Sequence, residues 1–374
     1  MSAPRAGERD QGRSLSLDSA RASRDPGPGA VRCRGAGPSD AARNTPSAES
    51  PQAPERGRLA RLLGPLHVTG VFWYRFHLWG VRHGPRWAFS PCVHLFTCFF
   101  AIALRRIRRA IKANLAAVLG PAGFLEAERR VWRTLLTFAW CLTERYEHLA
   151  GRRSPQLEVD HREAWDRLVA ARRGFIVLTA HLGNWEAAAA VAVAHLDSRM
   201  HLVREEELDP EAQRFVRQLV AGRMGPGFVT HFAGDPSLGL LLGDALGRGE
   251  VVALQGDRPR AGGQAIATAL FGRPFLLPAG PLALARVSAA PLLPAFAFRE
   301  GRGRYRVVFR DPIQVATTDD RKRDLEHAAW ELTRVLEWAI ARAPHQWFCF
   351  RRLWPEPQRA ATALAPHSPQ SGPT

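Results

Sequence analysis

The chain has 374 residues, 46% hydrophobic and 23% charged, with 52 Lys and Arg against 35 Asp and Glu for a formal net charge of +17. That balance suits a globular fold with a sizeable core, and the positive excess points to an anionic partner, either nucleic acid or an acidic membrane surface, although the wealth of Arg, Ala, Gly and Pro also fits a GC-rich coding bias. The five cysteines, Cys33, Cys92, Cys98, Cys141 and Cys349, have spacings that match no zinc pattern and no disulfide framework, which favours a reducing compartment.

Residues 1–57 are rich in Pro, Gly, Ser, Ala and Arg and poor in apolar side chains. They bury too little surface to offset the entropy of ordering, so a disordered low-complexity tail is expected there. No secretory signal is read at the start. Order is expected to begin near Leu59. Residues 58–150 read as an N-terminal membrane-associated helical region. VFWYRFHLWGVRHGPRW is aromatic and basic, and WAFSPCVHLFTCFFAIAL (87–104) is followed at once by RRIRR. This apolar run reaches roughly 27 Å as a helix, barely a span. Pro91 and His94 interrupt it, while the flanking Trp and Arg suit an interface. An interfacial helix, a spanning helix and a buried core helix all remain open; a spanning one would leave the C-terminal body in the cytoplasm. Cys92 and Cys98 read as small buried hydrophobes. Next, Ile107, Ile111, Leu115 and Val118 recur at helical spacing, and 131–149 continues the helical pattern.

From about 156 the pattern alternates. Strands are expected at FIVLTA, MHLVRE, GFVTHF, EVVALQG, PLLPAFAF and RYRVVFR. Helices are expected at HREAWDRLVAARR, WEAAAAVAVAHL, PEAQRFVRQLVAGR, PSLGLLLGDALGR, GPLALARVS and 321–343. Such alternation predicts an α/β fold, a central mixed sheet flanked by helices, over residues 151–356. Residues 357–374 read as a disordered tail.

HLGNWE (181–186) follows the strand FIVLTA, so His181 lands at the C-terminal sheet edge, where α/β sites form. Gly183 permits a bend, and Asn184 is placed to cap the next helix. A bend there would fold Glu186 onto one imidazole nitrogen of His181 and leave the other as a general base. A structural histidine beside a helix cap is the competing reading. The spacing is not that of a metal-binding HExxH motif, and no metal site is expected. His161, His195, His201, His231 and His345 lack an acidic partner at comparable spacing and read as structural.

RRGFIVLTAHLGNWE resembles the signature of the bacterial lipid A biosynthesis lauroyl/myristoyl acyltransferases, within the lysophospholipid (glycerolipid) acyltransferase-like superfamily marked by His, four residues, then an acid. QGDRP (255–259), ALFGRPFLLPAGPLALARVSAAPLLP (269–294) and APHQWFCFRRLWP (343–355) follow in the family's order. The stretch with Arg105, Arg106, Asn114 and Leu115 is similar too, so the resemblance covers roughly 60–356. FLLPAGP lacks the Glu of the F-P-E-G block found in phospholipid-making members, which leaves the acceptor contacts unidentified.

The resemblance implies a membrane-bound O-acyltransferase of the glycerolipid acyltransferase-like fold. It would move a fatty acyl chain from acyl carrier protein or coenzyme A to a hydroxyl of a lipid A precursor or related glycolipid, with no cofactor. His181 would be the base, Glu186 its orienting acid, and no acyl-enzyme would form. Arg204, Arg223, Arg258 and Arg351 are candidates for the oxyanion or for substrate phosphates. Asp257 is a candidate for orienting an arginine or the acceptor, with a turn cap as the alternative. Trp347 with Arg351 and Arg352 is either an interfacial anchor or C-terminal packing. The expected location is the cytoplasmic face of a bacterial inner membrane. The positive charge then serves an anionic leaflet and an acidic carrier protein, and no nucleic-acid partner is expected because no such motif is present.

Overall fold

A computed structural model describes residues 70–354 apart from 187, 188, 190–195, 208, 226 and 261. The tails expected at 1–57 and 357–374, the start of order near Leu59, His195 and most of the helix expected at 185–196 lie outside those residues. Among the described residues four helices come first: α1 (Val71–His83), α2 (Arg86–Ala103), α3 (Arg105–Leu119) and α4 (Phe124–Leu149). The spacing that predicted α3 also fixes what it buries. Ile111 and Leu115, each 2% exposed, pack against Val131 and Leu135 of α4. Pro121 cannot continue α3, and Gly120 at φ +83° turns the chain out.

α2 buries one stripe, Phe89, Val93 and Thr97, at successive helical turns. The same helix exposes Trp87, Leu95, Phe99 and Ile102. Cys92 and Cys98, expected inside, are exposed as well: the burying stripe is occupied by their neighbours, so an apolar sequence does not make every position a core position.

A seven-stranded sheet follows in the order β1-β9-β8-β2-β5-β3-β4, with β1 Gln156–Asp160, β2 Phe175–Thr179, β3 Met200–Arg204, β4 Phe228–Phe232, β5 Val251–Gln255, β8 Leu292–Gly301 and β9 Arg304–Phe309. Every neighbouring pair is parallel except β8 and β9, which are antiparallel. The sheet is therefore mixed and mostly parallel. FIVL is apolar throughout because β2 is central and covered on both faces. Ile176 and Leu178, both 0% exposed, pack on one side with Leu282 of α8 (Ala279–Ser288) and with Leu332, Leu336 and Ile340 of α9 (Arg321–Arg342). Phe175 faces the other side with Trp165 of α5 (Glu163–Ala170), Met200 and Leu202. Burial of a side chain of this size contributes about 1.5–3 kcal/mol. Helices α6 (Pro210–Met224) and α7 (Leu238–Gly247) connect β3 to β4 and β4 to β5.

The stretch expected as a loop after β5 contains a hairpin, β6 (Ala265–Leu270) with β7 (Arg273–Pro278). Its two-residue turn is Phe271-Gly272, both at positive φ, the geometry that matches strand twist. Phe is strained there, and the backbone N–H of Phe271 donates to Glu337 of α9, which holds the turn.

Candidate active site

Strand register brings the site together. β2 and β5 pair in parallel from Phe175 with Val251 to Thr179 with Gln255. His181 and Asp257 each lie two residues further, so neighbouring strands, about 4.8 Å apart, deliver them side by side at the C-terminal edge. Nδ1 of His181 lies 2.7 Å from Oδ1 of Asp257. The His181 side chain is 24% exposed and the Asp257 side chain 1%. With a carboxylate on Nδ1, the neutral ring carries its proton there and turns the Nε2 lone pair outward.

Asp257 is buried, which by itself raises a carboxyl pKa. The charge and hydrogen bond of His181, the Arg258 guanidinium and the Trp347 N–H outweigh burial and hold the group well below the usual carboxylate range.

The residue on His181 Nδ1 is thus Asp257, where Glu186 was expected. Asp257, expected to orient an arginine or the acceptor or to cap a turn, has its two carboxylate oxygens on the side chains of His181 and Trp347. Glu186 forms ion pairs with Arg145 of α4 and, at 3.6 Å, with Arg204. The physical reason is the bend itself. Gly183 sits at φ +60°, and a Cβ there would lie 1.8 Å from the Ala297 carbonyl oxygen. That turn feeds Trp185 and Glu186 into a helical segment, on the side where α4 and β3 supply cations.

The C-terminal segment completes the edge. Phe348 N donates to His181 O at 2.8 Å, and Gly183 N donates to Gln346 O at 3.0 Å. Trp347, 3% exposed, donates its indole N–H to Oδ2 of Asp257 at 3.0 Å. It is therefore no interfacial anchor. The Gln346 side chain accepts from Arg299 N and donates to Arg299 O, at 2.7 and 2.8 Å. The segment is pinned at its far end by Asn114 of α3, which donates to Cys349 O and Arg351 O at 3.1 and 2.8 Å and accepts from Leu353 N at 3.1 Å.

Behind the bend, Asn184 was expected as a helix cap. Its side-chain N–H₂ donates to Cys141 O at 3.3 Å and to the Tyr305 hydroxyl at 3.2 Å, and residues 187 and 188 of the helix it was expected to cap lie outside the described residues. Tyr305 in turn donates to the buried Glu144, which also receives the Arg299 guanidinium. A buried polar network of this type is stiff when each member is satisfied.

The four candidate arginines divide. Arg204 ends β3 at this edge and pairs with Glu186. Arg258 follows Asp257 and donates to Phe348 O at 3.4 Å, and Arg351 donates to Pro259 O. Arg223 does not join them. α6 runs back to the N-terminal edge of the sheet, where Arg223 donates to His148 O at 3.1 Å at the end of α4. There it caps a helix C-terminus. Among the other histidines, His201 does find an acid: it links His231 at 2.8 Å and Glu250 at 2.9 Å. Among the described residues, no group of three or more His, Cys, Asp and Glu side chains is arranged to hold a metal ion.

Trp347 Nε1 and Asn114 are the contributions that composition and spacing leave hidden, since both act across more than 80 residues of chain. The QW pair and the RR…NL stretch were the signals that carried them. A search of curated proteins finds no match to the chain. The family model for the bacterial lipid A biosynthesis acyltransferases matches residues 60–356.

Proposed function

The chain belongs to the bacterial lipid A biosynthesis acyltransferase family, and from that premise we propose that it transfers a fatty acyl chain from a thioester donor to a hydroxyl of a lipid A precursor, with His181 as general base. The observation that carries this reading is the 2.7 Å contact between His181 Nδ1 and the buried Asp257. In the proposed step, Nε2 of His181 takes the proton of the acceptor hydroxyl as its oxygen attacks the thioester carbonyl. Asp257 keeps the tautomer and stabilises the imidazolium. The C–S bond breaks and the proton passes from Nε2 to the leaving thiolate. Glu186 acts at one remove, holding Arg204 and Arg145 beside the dyad. Arg258 and Arg351 supply cations at the same edge for the developing oxyanion or for substrate phosphate.

Direct attack without an acyl-enzyme is supported by the state of the buried thiols. Burial, then the Glu144 charge, pushes the Cys141 thiol up to about 12. Burial and the Asp257 charge raise Cys349 as well. Neither is a thiolate nucleophile at neutral pH. No cofactor enters the reaction. The donor is acyl carrier protein or coenzyme A, whose anionic groups suit the +17 net charge.

Our reading places the enzyme on the anionic cytoplasmic leaflet of the inner membrane. α2 has 18 residues, a mean hydropathy of 1.2 and 17% of its residues buried, long and apolar enough to cross a membrane by length and composition. Its buried stripe lies along α4, within the body of the fold. A helix held by the body on one face and offering Trp87, Leu95, Phe99 and Ile102 on the other favours interfacial seating.

The test uses membranes carrying the wild-type chain or His181→Ala, supplied with labelled acyl carrier protein or coenzyme A thioesters and a lipid A precursor. Mass spectrometry should show a precursor heavier by one acyl group, formed by wild type alone. Equal product from His181→Ala would remove the proposed base. Free fatty acid without acylated lipid would make the enzyme a thioester hydrolase.

A further inference from the structure

Where the end of α4, the start of α2 and the β8–β9 turn meet, a cavity of about 330 Å³ is lined by Arg86, Phe89, Glu147, Arg152, Arg153 and Arg302. Four guanidinium charges stand against one carboxylate, an excess of three positive charges. The dyad is not part of it. Gly183, in the bend after His181, bridges Ala297, and Arg302 lies five residues further along β8 and its turn, roughly 15 Å on at the rise of a strand.

Two of the four arginines have partners. Arg152 N and Arg153 N donate to Glu147 O at 2.9 and 3.3 Å, so both residues are tied to the last turn of α4. Arg152 Nη1 then donates to Val81 O at 2.5 Å and to Arg82 O and Gly84 O at 3.1 Å each, which caps the end of α1. Arg302 Nη2 donates to Glu147 Oε1 at 3.1 Å, and its guanidinium lies 5.4 Å from the Phe89 ring and 5.5 Å from the Trp140 ring. The Glu147 side chain is 6% exposed, and its charge is spent on Arg302. Arg86 and Arg153 are exposed, and among the described residues no acid pairs with either. Arg153 lies across the hairpin turn: a Cβ on Gly303, at φ +68°, would come within 2.8 Å of its Nε.

Uncompensated charges of one sign around a concave surface attract a counter-ion. α2 starts here without a side-chain cap, so the positive end of that helix adds to the same field. Paired guanidinium forks select phosphate through bidentate hydrogen bonds. The neighbouring surface points to the source of the phosphate. Trp87, next to Arg86, is 78% exposed and begins the apolar face of α2 that suits a membrane interface. We propose that this cavity binds the phosphate of a membrane-lipid headgroup, with Arg86 and Arg153 as its ligands and Arg302 beside them. Such a contact fixes how α2, and with it the catalytic edge, addresses the bilayer. The proposal rests on interfacial seating of α2 for the source of the phosphate and needs no acyl transfer.

The experiment combines Arg86→Lys with Arg153→Lys in the full-length chain. The pair keeps every charge and removes the planar forks, so long-range attraction to an anionic surface is unchanged. Both positions are exposed, and Tm without added phosphate should stay that of wild type. Flotation with vesicles of phosphatidylcholine and phosphatidylglycerol in a three-to-one ratio should weaken by about tenfold, the equivalent of one charge-assisted hydrogen bond. Inorganic phosphate, compared with chloride at equal ionic strength, should raise the Tm of wild type and not that of the variant. KM for the lipid A precursor in detergent micelles separates the sources. Weakened flotation with an unchanged KM supports the bilayer lipid. A raised KM with unchanged flotation gives the phosphate to the acceptor and overturns that assignment. A phosphate effect on Tm that the variant loses, with flotation and KM both unchanged, makes free phosphate the ligand and overturns the lipid source, as does a wild-type chain that does not float. A variant that matches wild type in flotation, KM and phosphate response overturns the site and leaves only diffuse charge attraction. Flotation and Tm involve no turnover, so they stand or fall apart from the proposed reaction.

Discussion

Asp257→Asn tests the dyad most directly. The carboxylate now accepts two hydrogen bonds, from His181 Nδ1 at 2.7 Å and from Trp347 Nε1 at 3.0 Å, and is 1% exposed. An asparagine offers one oxygen and one N–H₂ group in the same space. If its oxygen stays on the indole, the N–H₂ faces Nδ1. The imidazole must then accept there and carry its proton on Nε2, where the base lone pair is needed. Loss of the correct tautomer in such a dyad costs roughly 10³–10⁴ in kcat, or about 4–5.5 kcal/mol of barrier. Substrate affinity should change little, because Asn keeps the size and shape of a side chain that is 1% exposed. The wild-type pH profile follows from the same carboxyl. Its pKa is depressed in the fold, so its stabilising contribution is complete above the ordinary aspartate value of about 3.9 and is lost as pH falls below it. Transfer above about pH 5 should therefore owe nothing to Asp257 titration. The assay is transfer of a labelled acyl group to a lipid A precursor in micelles, with Glu186→Gln measured in parallel. A kcat for Asp257→Asn within tenfold of wild type would refute the reasoning. So would a larger fall in kcat for Glu186→Gln than for Asp257→Asn.

Three further outcomes are expected. Gly183→Ala puts a methyl into the Ala297 carbonyl and a Cβ into left-handed backbone, with roughly 1–3 kcal/mol from overpacking and about 1–2 kcal/mol from the conformation; thermal unfolding should show a clear fall in Tm, and activity should fall with it. Asn114→Ala removes the side-chain bonds to Cys349 O, Arg351 O and Leu353 N, so limited proteolysis should cut the C-terminal segment sooner, with a loss of about 1–3 kcal/mol in denaturant unfolding. Replacing the exposed Trp87, Leu95 and Ile102 of α2 by serine should leave unfolding little changed but weaken flotation with anionic vesicles by at least tenfold, since each apolar side chain contributes about 1.5–3 kcal/mol on burial.

The sequence carries the sheet and its connecting helices well where periodicity is strong. FIVLT, MHLVR, FVTHF and VVALQ all become parallel strands: the mostly apolar FIVLT and VVALQ take central places covered on both faces, and FVTHF, half-buried throughout, takes the edge. The hairpin at 265–278 is hidden because its turn is Phe-Gly, with Asn or Asp absent from the first position. β1 is hidden for another reason. As an edge strand reading QLEVD, it buries too little to show a pattern, and its pairing with β9 is decided by the rest of the fold.

The site shows the same division more sharply. HLGNWE holds a base and an acid close in sequence, and that closeness suggested a pair. Sequence proximity fixes only that both residues follow the same strand. The geometry of Gly183, forced by the Ala297 carbonyl at its Cβ position, sends Glu186 into a helix facing Arg145 and Arg204. The acid that reaches His181 is chosen by strand order: β5 is the parallel neighbour of β2 in matching register, and Asp257 stands at the equivalent position past its end. Residues distant in sequence become partners because the sheet sets them side by side, and Trp347 joins them only after the chain has crossed the whole fold. For this reason QGDRP and QW, rather than spacing within HLGNWE, are the motifs on which the dyad depends.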